Sequence, residues 1–133
     1  MKALYLDTSA LLKVYVAEEF TSECKGIIAT YENLFMSQIG ITETLINLRK
    51  RLSIRENAIA SKLFEADIEA FNIINFDGHI SEIAVSLSEG TNLATLDAIH
   101  LASALKFKEA GIDFLTYDKL QKKSAKTLGF NTP

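Results

Sequence analysis

The feature that most constrains the fold is the alternation of short apolar runs with longer amphipathic segments. Residues 3–6 form an apolar run, which is typical of a strand buried on both faces of a parallel sheet. Elsewhere apolar residues recur at helical spacing, as at Ile41, Leu45 and Leu48. Strand–helix alternation of this kind predicts an α/β fold with a mostly parallel central sheet and helices on both faces.

The element boundaries follow from the same periodicity and from capping residues. We predict strands at residues 3–6, 34–36, 72–76 and 113–116, with a last edge strand at 128–130. We predict helices that end at Val16 and that span residues 21–30, 40–52, 56–71, 81–88, 96–109 and 119–127. Thr8 or Ser9 is expected to cap the first helix and Thr95 the helix at 96–109, which Gly111 ends in a left-handed conformation. The result is a three-layer α/β/α sandwich, from which the helices at 40–52 and 56–71 project as an antiparallel hairpin.

The composition indicates a single globular domain over residues 1–133. The chain is 48% hydrophobic and 23% charged, with one proline and six glycines, so it can bury a sizeable core. Cys24 is the only cysteine, which excludes an internal disulfide, and no paired Cys/His spacing suggests zinc. We see no signal peptide and no apolar run near the ~18–20 residues of a membrane span. We therefore expect a cytoplasmic protein without a membrane segment.

The net charge of −3 does not exclude a nucleic-acid substrate. If four acids are gathered around metal ions, the remaining surface carries a charge of +1, from −3 + 4. A bound divalent cation also reverses the local sign of such a site. The overall charge therefore leaves this question open.

Four acids lie where a parallel sheet and its helices can bring them together. Asp7 and Asp118 each follow a predicted strand, and open α/β sheets bind ligands outside the carboxyl ends of their strands. Asp97 lies in the first turn of a helix, where the helix dipole favours an ionised carboxylate. Glu43 is near the start of the 40–52 helix and borders its apolar face.

Taken singly, each acid has an ordinary explanation as a helix cap, a turn residue or a complement to the helix dipole. Taken together, they would repel one another unless some were protonated or cations were bound among them. Oxygen ligands favour Mg²⁺ or Mn²⁺ over zinc, and Mg²⁺ commonly bridges one or two carboxylates and substrate phosphates. The pattern therefore points to phosphodiester hydrolysis.

Four segments of this chain resemble, in order and spacing, the motifs of the PIN-domain family. They are Leu6-Asp7-Thr8-Ser9-Ala10-Leu11-Leu12-Lys13, Thr42-Glu43-Thr44-Leu45, the stretch from Leu96 to Leu105, and Thr116-Tyr117-Asp118. The resemblance extends over essentially the whole chain, and each of the four acids has its match. Within that family, the chain length and the third segment look most like the VapC-type toxins of toxin–antitoxin pairs.

This resemblance implies a Mg²⁺- or Mn²⁺-dependent endoribonuclease. Asp7, Asp97 and Asp118 would bind metal directly or through water, and Glu43 would be a further ligand or would orient the nucleophilic water. Ser9 and Thr116 would fix a carboxylate or a phosphate oxygen, although helix capping and turn formation explain their hydroxyls equally well. His100 is expected to be a structural hydrogen-bonding residue rather than a general base.

Substrate and partners follow partly from charge and partly from the resemblance. Lys13, Arg49, Lys50 and Lys119 are candidate contacts to RNA phosphates, with a solvated charged face as the simpler explanation. The resemblance implies an antitoxin protein partner, for which the hairpin and the second helix would offer a groove. It also implies a homodimer.

Other functions fit the sequence less well. A phosphatase with an aspartate nucleophile needs a second Asp where Ser9 stands. A phosphoacceptor receiver domain needs a late lysine that this chain lacks at the matching position. The alternative that remains open is a non-catalytic RNA- or protein-binding module that has kept the fold.

Overall fold

The computed structural model describes residues 2–133. Its strands are β1 (Ala3–Leu6), β2 (Asn33–Ser37), β3 (Asn72–Ile74) and β4 (Ile112–Leu115). Its helices are α1 (Thr8–Tyr15), α2 (Thr21–Ile28), α3 (Gln38–Arg51), α4 (Ile54–Ile68), α5 (Gly78–Ser88), α6 (Thr95–Leu105) and α7 (Lys119–Thr127), and a short 3₁₀ helix covers Lys108–Ala110.

The four strands form one parallel sheet in the order β3-β2-β1-β4. The chain moves outward from β1 through β2 to β3 and then returns to the other side of β1 as β4. Leu4 therefore pairs with Leu34 on one side and Asp113 on the other. The predicted parallel α/β fold is confirmed, and the central place of β1 explains why its residues are apolar on both faces.

The sheet is covered on both faces. On one face Tyr5 and Phe114 stack with their ring centroids 5.1 Å apart and share a hydrophobic cluster with Leu101 of α6. On the other face Leu6 shares a cluster with Phe64 of α4, together with residues of α1 and α2. These two clusters form the predicted three layers, with the sheet in the middle.

The predicted helical hairpin is present as α3 and α4, which only Leu52 and Ser53 separate. Ser53 begins α4 with a capping box, because its hydroxyl accepts from Glu56 N and the Glu56 side chain accepts from Ser53 N. Leu48 and Ala60 pack with Leu12 of α1, which holds the hairpin to the domain.

Three local predictions are wrong. Within the described chain, residues 128–130 do not form a strand: Gly129 turns the backbone at φ 89, and Phe114 N donates to Asn131 O next to β4. Thr95 is the first residue of α6 rather than its cap, because the chain enters the helix at Ala94, which makes no side-chain capping bond. The first helix is capped by Asp7, not by Thr8 or Ser9.

The helix predicted over residues 96–109 is also shorter than expected. It ends at Leu105, and a 3₁₀ turn carries the chain to Gly111, which has the predicted left-handed conformation at φ 85. No helix within residues 2–133 combines the length and apolar character needed to cross a membrane.

Candidate active site

The site lies at the carboxyl edge of the sheet, where β1 and β4 end side by side. Because the strand order reverses direction at β1, a crevice opens between these two strands. Asp7 follows β1 and caps α1, with Oδ1 accepting from Ala10 N at 3.2 Å. Its side chain is buried, with only 3% exposed. Both the capping and the site interpretation of Asp7 therefore apply to the same residue.

Two hydroxyl side chains connect Asp7 with Asp118 across the ends of β1 and β4. Ser9 Oγ donates to Asp7 Oδ1 at 2.6 Å and lies 3.2 Å from Thr116 Oγ1. Tyr117 N donates to Ser9 Oγ at 2.8 Å, and Asp118 N donates to Thr116 Oγ1 at 3.1 Å. The structure thus brings together the acids and the hydroxyls that the sequence singled out on these two strands.

Asp97 and Asp118 are held near each other by Gln121. Asp118 is exposed and caps α7, its Oδ1 accepting from Gln121 N at 2.9 Å. The fully buried Gln121 side chain then donates from Nε2 to the carbonyl oxygen of Asp97 at 3.0 Å. This pair of bonds ties the first turn of α6 to the first turn of α7.

The proximity of the four carboxylates is visible in the electrostatics of Asp97. Its pKa is raised above the ordinary value of 3.8, first by burial and then by the negative charges of Asp118, Asp7 and Glu43. Burial likewise raises the pKa of Asp7, against the charge of His100 and the hydrogen bonds of Ser9, Thr116 and Ala10 N. Asp97 therefore lies within electrostatic range of the other three acids.

Glu43 belongs to a chain of hydrogen bonds that runs into the core. His100 Nε2 lies 2.6 Å from Glu43 Oε1, and Tyr5 Oη lies 2.6 Å from His100 Nδ1. Thr8 Oγ1 donates to the same Glu43 oxygen at 2.7 Å. Tyr5, Thr8 and His100 are all buried. His100 is thus the structural hydrogen-bonding residue that the sequence predicted, and its partner is an acid of the site.

The Glu43 carboxylate and the Tyr5 hydroxyl together determine which nitrogen of His100 carries the proton. The ionised Glu43 only accepts, so Nε2 donates to it, and burial raises the pKa of Tyr5 well above 10, so the protonated hydroxyl donates to the other nitrogen, Nδ1. In a neutral imidazole the proton is then on Nε2, from which it is donated to Glu43. Burial acts to raise the pKa of Glu43, but the contacts with His100 and Thr8 outweigh burial and lower it below 4.5.

The candidate phosphate contacts are divided between two places. Lys119 follows Asp118 and is exposed at the rim of the site. Lys13 lies in the same region but is engaged, with Nζ 3.3 Å from Glu18 Oε1. Arg49 and Lys50 are exposed in the last turn of α3, ~9–10 Å further along the helix axis than Glu43.

Within residues 2–133, no three His, Cys, Asp or Glu side chains form a group that would hold a metal ion. The described carboxylates are instead engaged with protein donors, as Asp7 is with Ser9 and Glu43 is with His100. The metal-ligand roles predicted for the four acids therefore stay predictions.

Three residues of this site were missed as functional residues by the sequence argument. Thr8 directly follows Asp7 in the chain. Gln121 is the third residue after Asp118, and this is the position whose backbone N–H an aspartate at a helix cap is expected to bind. That spacing was an available signal. Tyr5 had no signal, because a tyrosine in an apolar strand is indistinguishable from a core residue until its hydroxyl partner is known.

Fold and site together define a doubly wound parallel α/β protein with an acidic pocket at the carboxyl edge of its central strands. The family model described as PIN domain matches residues 4–126, and the chain belongs to this family.

Curated and solved relatives agree with that membership. The chain is 30% identical over 132 residues to ribonuclease VapC46 of Mycobacterium tuberculosis. The aligned region covers 97% of this chain and 95% of the relative. The crystal structure of M. tuberculosis VapC20, described as a sarcin-ricin loop cleaving toxin, superposes with a TM-score of 0.73 at 16% identity, over 96% of this chain and 95% of that one. A toxin–antitoxin complex from Klebsiella pneumoniae contains a chain with a TM-score of 0.69 at 24% identity, over 88% and 87%.

Proposed function

We propose that this protein is a VapC-type endoribonuclease that acts as the toxin of a toxin–antitoxin pair and uses Mg²⁺ or Mn²⁺ to hydrolyse RNA phosphodiesters. The observation that carries the proposal is the hydrogen-bonded arrangement of Asp7 and Asp118 at the carboxyl ends of β1 and β4, which Ser9 and Thr116 connect. The curated relative, which is a ribonuclease and matches nearly the whole chain, supports the same activity.

The chemistry of the donors suits a hard divalent cation. The charges of Asp118, Asp7 and Glu43 add to burial in raising the pKa of Asp97, and a bound cation would offset this concentration of negative charge. The hydrogen bonds from Ser9 and from Ala10 N both reach Oδ1, so the helix cap does not require the second oxygen of Asp7. Mg²⁺ usually keeps several waters and takes one or two carboxylates plus substrate phosphates, so it does not need a complete protein cage. When bound, such an ion activates a water and offsets charge on the phosphate.

The residues of this chain have separable tasks in that reaction. The buried Asp7 and the partly buried Asp97 would hold the cation, with the exposed Asp118 as a further ligand. Ser9 fixes the carboxylate of Asp7 through its 2.6 Å hydrogen bond. Thr116 bonds to Asp118 N and thereby fixes the start of α7.

Glu43 orients the nucleophilic water or completes the metal site, and His100 positions Glu43. The donation from Nε2 and the donation from Thr8 both reach Oε1, which leaves the other carboxylate oxygen for water or metal. His100 acts through Glu43, so it is a positioning residue rather than a base. Its own orientation depends on the Tyr5 hydroxyl.

RNA approaches the acidic site along lysines at its rim. Lys119 lies beside Asp118, and Lys13 lies near the Tyr117 ring, paired with Glu18. Arg49 and Lys50 extend the positive surface along α3 to phosphates further from the scissile bond.

An antitoxin segment would occupy the apolar groove between the end of α1 and the hairpin. This groove has a volume of about 300 Å³, and Ile59 and Leu63 of α4 line it with 64% and 53% of their surfaces exposed. The toxin–antitoxin complex that shares the fold supports such a partner. A homodimer and a cytoplasmic location belong to the same proposal, and light scattering and cell fractionation test them.

The decisive experiment is cleavage of a mixed RNA pool by the purified protein in Mg²⁺, Mn²⁺ or EDTA. Asp7→Asn and Asp97→Asn are compared with Asp77→Asn as a matched control. Asp77 follows β3 and caps α5 with a 2.9 Å bond to Ile80 N, so the control repeats the change at Asp7 outside the site.

Metal-dependent cleavage that both site variants lose and Asp77→Asn retains is the expected result. Cleavage that persists in both site variants would point to a contaminant and refute the assignment. If no form cleaves RNA and Mn²⁺ leaves the melting temperature unchanged, the non-catalytic binding module is correct instead.

A further inference from the structure

Phe20 is held in a conformation that a phenylalanine rarely adopts. Its φ is 67, and among residues 2–133 it is the one non-glycine residue with a positive φ. It stands at the N-cap of α2 without a side-chain capping bond, and 49% of its surface is exposed. A bulky residue at positive φ is an outlier that local folding does not explain. Burial offsets little of this strain because half of the ring faces solvent.

The exposed ring lies against the site rather than against the core. Phe20 and Tyr117 stack with ring centroids 5.9 Å apart and an angle of 21° between their planes. Tyr117 stands between Thr116 and Asp118, so this aromatic pair borders the acidic pocket directly. The Tyr117 hydroxyl donates to Glu23 Oε1 at 3.0 Å, which fixes the inner ring.

Lys13 lies close to both rings. Lys13 Nζ is 5.9 Å from the Phe20 centroid and 5.4 Å from the Tyr117 centroid, within cation–π range of both. Both aromatic residues line a cleft of about 210 Å³. Its wall also contains Asp118, Lys119 and Lys122, among others. The cleft therefore combines aromatic faces, two lysines and two acids, Glu23 and the site residue Asp118.

We propose that Phe20 and Tyr117 form a stacking subsite for one nucleobase of single-stranded RNA, next to the phosphodiester at the acidic pocket. This inference rests on the proposed ribonuclease function and adds a substrate contact to it. Proteins that bind single strands pair aromatic platforms with a positive groove, because every base has a face that stacks. Lys119 and Lys122 take the flanking phosphate, and the Glu23 carboxylate accepts from an amino group on the base edge.

The test exploits the absence of tryptophan from the sequence. Phe20→Trp keeps a stacking ring and introduces a single fluorophore at the subsite. The probe is a short phosphorothioate-linked single-stranded RNA, compared with an abasic strand of the same length, both in Mg²⁺. Phe76→Trp is the matched control, since Phe76 has a similar exposure of 42% and lines a different cleft.

The expected result is that the base-containing strand quenches the fluorescence of Phe20→Trp, that the abasic strand quenches it little, and that neither strand quenches Phe76→Trp. Fluorescence anisotropy of a labelled strand reports binding independently of stacking. If the strand binds without quenching at position 20, or fails to bind at all, the proposal is overturned and a protein partner becomes the better occupant of these rings.

Truncation provides a second measurement. Phe20→Ala should weaken binding or raise KM by about 5- to 140-fold with kcat little changed, which is ~1–3 kcal/mol of base stacking converted at ~1.4 kcal/mol per tenfold. Phe20→Gly should lose the same contact without loss of melting temperature, because glycine adopts φ 67 freely. Cleavage without position-20 quenching would reject the subsite alone, whereas quenching without cleavage would reject only the ribonuclease function.

Discussion

The hydroxyl of Tyr5 is the point at which a single atom can be removed to test the hydrogen-bond chain behind Glu43. Tyr5→Phe leaves the ring in its stack with Phe114 and deletes only the 2.6 Å bond to His100 Nδ1. Both residues are buried, with 0% and 2% of their surfaces exposed, so water does not readily replace the lost donor. His100 is then left with an unsatisfied nitrogen in the core.

The expected loss of stability follows from that geometry. A buried acceptor without a partner costs ~1–3 kcal/mol in free energy of unfolding. At ~2.1 cal/mol/K per residue, 133 residues have an unfolding entropy of about 0.28 kcal/mol/K, so the melting temperature should fall by about 4–11 °C. Because the proton on Nε2 is no longer enforced, kcat should also fall by about 10-fold, with KM unchanged.

Calorimetry and steady-state RNA cleavage measure the two effects separately. Tyr31→Phe is the control, since it deletes a bond of the same 2.6 Å length to Asp113 at the opposite end of the sheet. That variant should keep wild-type kcat. A Tyr5→Phe protein with an unchanged melting temperature and unchanged kcat would refute the argument that Tyr5 orients His100 and, through it, Glu43.

Three further outcomes follow from burial and charge. Asp97→Asn should raise the melting temperature in EDTA at pH 7 but not at pH 3. Because the pKa of Asp97 is raised in the folded state, its stabilising contribution is fully present below pH 3.8, where it is protonated, and is lost as the pH rises through the raised pKa. Equal gains in melting temperature at both pH values would contradict this. Gly40→Ala should stabilise the protein by ~0.4–1 kcal/mol in denaturant titrations, because alanine favours a helix more than glycine does. The added Cβ would lie 3.5 Å from His100 Cε1, which is an ordinary van der Waals contact. A loss of stability would show that the space around Gly40 is tighter than this distance indicates. Cys24 is fully buried, and burial raises the pKa of its thiol to about 11. A thiol reagent should therefore modify Cys24 only as fast as the protein unfolds, and rapid labelling of the native protein would contradict this.

Most of the secondary structure could be predicted because its determinants are local. The apolar run of β1 and the stripe of α3 appeared at the expected places, and α7 begins and ends at the predicted residues, Lys119 and Thr127. Most errors concern the ends of elements, and one concerns a whole strand. Apolar character predicts a strand at residues 128–130, whereas the backbone N–H groups of these residues bond back to carbonyls of α7 and Gly129 has φ 89.

The sequence by itself also determined which acids stand at the ends of strands and helices, because motif order and spacing are properties of the chain. It did not determine what surrounds them. The bonds from Gln121 to Asp97, from His100 to Glu43 and from Tyr5 to His100 join residues 24, 57 and 95 positions apart. Such contacts depend on how the helices pack against the sheet, and periodicity contains no information about that packing.

The same division applies to the Phe20–Tyr117 pair. Nothing in the sequence around Phe20 distinguishes it from a core phenylalanine, and in the sequence Tyr117 is only the residue between Thr116 and Asp118. Their stacking arises because the turn between α1 and α2 meets the turn after β4 at one edge of the sheet. Local propensity therefore specified the elements and their acids, and tertiary packing alone decided which side chains those acids, and the rings beside them, would meet.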